Sequence, residues 1–95
     1  MELDDFVAVM DRVRDAALRA PASPARDGAV YGIEQAAAWA VTVAQRGSAV
    51  APAAVIERSR SAARVCGASM ARVQHDGGNV DAALRDAFAV VGWRW

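Results

Sequence analysis

Ninety-five residues make one domain, and eleven acidic side chains balanced by eleven basic ones leave no global field to draw nucleic acid or membrane. Twenty-four residues are alanine, against three leucines and two isoleucines, and every basic residue is arginine. No apolar run approaches the ~18 residues of a membrane span, and a lone Cys66 excludes an internal disulfide and suits a reducing compartment.

Alanine favours helix because it loses no side-chain entropy, yet its methyl buries little area. Helices built from it must pack closely or borrow apolar surface from a partner. The first helix spans about residues 3–20, where Leu3, Phe6, Val7, Met10, Val13, Ala17 and Leu18 repeat at the spacing of an amphipathic helix. Asp4 and Asp5 in its first turn and Arg19 in its last match the helix dipole. This acidic start is wrong for a signal peptide, so the cytoplasm is the expected location. Arg14 projects inside the apolar stripe. Either its stem packs while its head snorkels to water, or it pairs with Glu34 in the interior, or it belongs to an interface. An unpaired buried guanidinium is too costly to keep.

Pro21 and Pro24 stop that helix, and residues 21–28 read as a loop, with Asp27 or Gly28 capping a second helix over about 30–46. On that helix Glu34, Gln35, Thr42, Gln45 and Arg46 fall within a stripe of roughly 120° at 3.6 residues per turn. The rest of its circumference is apolar, which marks a central helix, with Trp39 at the edge of the polar stripe and assigned to the core. Gly47 and Ser48 end it, and Pro52 opens a third. That helix runs to His75, or breaks at Gly67 with Ser69 capping a short fifth helix. On the continuous reading Val55, Ser59, Ala62, Ala63, Cys66, Ser69, Met70 and Val73 share one face, and the small residues that dominate it permit a helix–helix approach near the short end of the ~8–10 Å range.

Asp76 to Asn79 reads as a turn with Asn79 as cap, followed by a fourth helix over about 80–91 carrying Val80, Ala83, Leu84, Ala87, Phe88 and Val91 on one stripe. Gly92 is its natural stop. No stretch alternates with the period of a strand. The expected fold is all-α, a compact bundle of four helices, or five, in a single domain over 1–95. Gly78-Asn79-Val80 followed by Ala83-Leu84 resembles the start of the last helix of ubiquitin-associated domains, but the distance back to Gly67 is one helical turn too short for that fold, so no family is assigned.

For function, no glycine-rich phosphate loop, nucleophile elbow or HExxH element occurs. His75 is the only histidine and Cys66 the only thiol, so a histidine-rich metal site is excluded. Carboxylate pairs such as Asp11 and Asp15 lie on the polar face of the first helix, where solvation explains them. The expectation is a non-catalytic protein with no metal and no cofactor. Trp93-Arg94-Trp95 combines the residue types enriched at binding hot spots, which makes these three, with Arg14 as secondary surface, the expected protein-binding residues. The opposing reading folds Trp93 back after Gly92 onto Phe88. The leading function is therefore protein–protein binding, as an adaptor, accessory subunit or stoichiometric inhibitor, with self-association expected from the thin alanine core. The alternative is a helix–turn–helix-like DNA-binding regulator using Arg58, Arg60, Arg64 and Arg72 of the third helix.

Overall fold

A computed structural model describes residues 3–69 and 77–93. Its helices are α1 (Leu3–Arg19), α2 (Pro24–Gln45), α3 (Pro52–Ser69) and α4 (Gly77–Ala89), with no strand among the described residues. The all-α bundle is thus the fold. Within it α2 packs against the other three helices, as its broad apolar circumference requires, whereas among the described residues the backbones of α1 and α3 do not come close and have α2 and α4 between them.

The inward stripe of α1 is Phe6, Met10, Val13 and Ala17, all buried. Val7 and Leu18, expected on the same stripe, sit at its margins and are exposed.

The start of α2 lies six residues earlier than the two prolines suggest. Ser23 is extended (φ −161°, ψ 162°), and its hydroxyl accepts a hydrogen bond from the Arg26 backbone N–H at 3.0 Å. Pro24 occupies the first helical turn, where a missing N–H costs nothing. Ser23 is therefore the cap, not Asp27 or Gly28, and burial of Ala25, Gly28 and Ala29 repays the extra turn. Arg26 reaches back from that turn to the Leu18 and Ala20 carbonyls, each at 3.4 Å, and ties the end of α1 to the start of α2.

Two helices end alike. After α2, Gly47 (φ +85°) lets its own N–H reach the Ala44 carbonyl and the Ser48 N–H reach that of Val43. After α4, Gly92 (φ +77°) donates to Ala89 and Trp93 to Phe88. Each is a Schellman motif, which needs a residue in the left-handed region.

α3 continues through Gly67 to Ser69 without a break at the glycine; an extension to His75 and a short fifth helix after Ser69 both lie outside the described residues. The small-residue face is described as far as Arg64, and Ala62 on it is half-buried. Val55, Ser59 and Ala63 are buried, and the Ser59 hydroxyl donates to the Val55 carbonyl at 2.9 Å, which satisfies the one buried polar side chain among the described residues. Opposite them stands Gly32 of α2. A Cβ there would overlap the Ser59 carbonyl oxygen and sit 3.0 Å from the Ala63 Cβ. α4 begins at Gly77, so Asn79 is its third residue rather than its cap. First-turn N–H groups need no intrahelical partner, and buried Val80 and Leu84 fix how the helix packs, so the two glycines extend it backwards.

Candidate functional site

Opposite its core-facing Ala29, Ile33, Ala36 and Ala40, α2 presents to solvent a ridge of Tyr31, Glu34, Gln35, Ala38, Thr42 and Gln45. A groove runs along each side. The one shared with α3 encloses about 540 Å³ and is lined by Tyr31, Gln35, Trp39, Thr42, Arg58 and Ser61, among others. The one shared with α1 is smaller, about 370 Å³, and more apolar, lined by Phe6, Val7, Met10, Asp11, Ala37 and Val41. Ala38 borders both grooves, because a methyl on the crest is too short to separate them.

In the α3 groove the Arg58 guanidinium carbon lies 4.9 Å from the centre of the Trp39 ring. This cation–π contact holds the guanidinium without using its N–H groups, whose edges stay open to an acceptor. Among the described residues Arg58 makes no ion pair. Trp39 is half-buried, so the assignment to the core holds for one side of its ring, and the other side forms a wall of the groove. Tyr31, eight residues earlier and on the same side of α2, is 40% exposed and extends that wall. Reading each residue for core or surface misses this site. The available signal was that Tyr31 projects within the polar stripe of α2 and Trp39 at its edge, facing the small residues Ser61 and Ala62 of α3.

The other singled-out residues are scattered. Arg14 reaches across to α2 and bonds Glu34, Nε to Oε1 at 2.8 Å, with both side chains 45% exposed. The partner is the one expected, but the pair sits at the surface rather than in the interior. That hydrogen bond first, and then the Glu34 charge, raise the pKa of the Arg14 guanidinium above its ordinary value. Trp93 is half-buried and stacks on Phe88, ring centres 5.9 Å apart and planes 5° from parallel. Phe88 and Trp93 are the two ends of the α4 Schellman motif, which routinely brings such an apolar pair together. Arg94 and Trp95 lie outside the described residues.

Two of the arginines of α3 turn to different neighbours. Arg58 turns toward Trp39 of α2, whereas Arg60 turns toward α4 and lies 3.9 Å from Asp81 and 3.6 Å from Glu57. Arg64 is exposed, and Arg72 lies outside the described residues, as does His75. Among the described residues no three His, Cys, Asp or Glu side chains come together as a metal site, and no helix is long and apolar enough to cross a membrane. The chain matches no protein family, no curated protein and no solved structure.

Proposed function

We infer that this chain is a small cytoplasmic, non-catalytic protein that works by binding another protein, with the outer face of α2 and its flanking grooves as the binding surface. The observation that carries this reading is the Arg58 guanidinium held over Trp39 in an open groove beside exposed Tyr31. Arginine, tryptophan and tyrosine dominate binding hot spots because each buries a large area and still offers a hydrogen bond. Here all three stand on helices, so little conformational freedom is lost on docking. The terminal Trp93-Arg94-Trp95 segment takes a lesser part in this reading, since Trp93 spends one ring face on Phe88.

The test compares affinity capture from the source lysate by the wild-type protein and by a Tyr31→Ala/Arg58→Ala variant of matched helical content. A protein retained in near-equal amount by the wild type and lost by the variant supports the reading. Equal retention by both refutes it. Nucleic acid retained at low salt and released at high salt would instead favour the DNA-binding alternative through the arginines of α3.

A further inference from the structure

The outer face of α2 is divided in charge. On its α1 side stands Asp11, exposed, bordering the smaller groove. On its α3 side stands Arg58, exposed, bordering the larger one. Neither makes an ion pair among the described residues. Between them is Ala38, the one residue that borders both grooves. Arg14 of α1 is bonded to Glu34 of α2 and feels the Asp11 charge only beyond ion-pair distance.

Such a face is complementary to its own copy in one orientation only. A two-fold axis lying in the contact plane and running along α2 leaves direction along the helix unchanged and exchanges the two sides, so Asp11 of one copy meets Arg58 of the other, twice. An axis across α2 keeps the sides and sets Asp11 on Asp11 and Arg58 on Arg58, which like charges oppose. Shape agrees with the first arrangement. Ala38 on the crest lets two α2 helices come close, and Val7, 39% exposed one turn before Asp11, is carried toward the Trp39 groove of the second copy. A protein whose core has so few large side chains gains most from covering such a face.

We propose that two copies of this chain associate through the outer faces of α2, side by side and parallel, with Asp11 of each copy paired to Arg58 of the other. This deepens the protein-binding reading of that face and rests on it; the occupant it names is a second copy. Two-fold contacts are self-complementary in this way, residue i meeting j and j meeting i.

Sedimentation equilibrium from about 1 μM to about 1 mM spans the range in which such an interface assembles. The wild-type mass is expected to rise with concentration from 10.0 kDa toward twice that value. Asp11→Arg and Arg58→Asp, each at an exposed position and each checked for unchanged helical content, are each expected to weaken association by about tenfold or more. An equimolar mixture of the two variants makes both pairs with opposite signs again and is expected to associate like the wild type. A wild type that stays monomeric overturns the proposal, as do single variants that associate normally or a mixture that fails to recover. Because the lysate experiment scores a different protein, a monomeric wild type removes the dimer and leaves the binding reading to be decided there.

Discussion

Replacing Gly32 by alanine tests the closest contact in the bundle. In isolation the change helps, because alanine is favoured over glycine inside a helix by about 1 kcal/mol. Against that gain stands the geometry: the new Cβ overlaps the Ser59 carbonyl oxygen and comes within 3.0 Å of the Ala63 Cβ and 3.2 Å of the Ala63 nitrogen. Two of these three atoms are backbone, so no rotamer change relieves the overlap, and α3 as a whole has to move away from α2. Overpacking of this kind costs roughly 1–3 kcal/mol, and rigid neighbours put it at or above the upper end. The net expectation is a loss of about 2 kcal/mol, or a melting temperature lowered by roughly 8–16 °C for a domain of this size. Thermal and urea unfolding followed by circular dichroism measure it. Ala8→Gly, at an exposed position in α1, calibrates the propensity term alone with an expected loss of about 1 kcal/mol. A Gly32→Ala protein as stable as the wild type, or more so, would refute the close approach of α2 and α3.

The other expectations are read with the same unfolding assay. Ser23→Ala removes the cap of α2 and should cost about 1 kcal/mol, whereas Ser23→Asp should retain most of the stability; no loss from the alanine change would contradict a helix that starts at Pro24. Trp93→Ala should cost about 2 kcal/mol, less than the ~3–5 of a fully buried aromatic, because its half-buried ring stacks on Phe88. A tail tryptophan reserved for a partner would leave stability unchanged on removal. Arg58→Ala should cost no more than about 1 kcal/mol, the worth of an exposed cation–π contact, while removing partner capture; a large loss of stability would make Arg58 structural.

Helix type, number and order were legible because the 3.6-residue period is strong in α1 and α4, and because α2 is apolar around most of its girth. The start of α2 was misread: two prolines signalled a loop, yet Ser23-Pro24 is equally a cap followed by a first-turn proline, and only the burial of Ala25, Gly28 and Ala29 separates the two. The hinge-like glycine at position 67 continues a helix, and the glycine that decides packing is Gly32, which periodicity alone does not distinguish from its alanine neighbours. The candidate surface was less legible still. Trp39 and Arg58 are nineteen residues apart and meet only because α2 and α3 pack closely enough to bring one over the other. An arginine count on α3 likewise carries no direction: Arg58 and Arg60 leave that helix toward different neighbours.

The most direct test places the contact surface on the molecule through its own reporters. In protein labelled with ¹⁵N at tryptophan, the indole N–H signals of Trp39 and Trp93 report on the α2–α3 groove and on the end of α4. With increasing concentration the Trp39 signal should move and that of Trp93 should stay in place, and Asp11→Arg should abolish the movement. Movement at Trp93 with Trp39 unchanged, or no movement at either, would contradict an α2 face that binds a second copy.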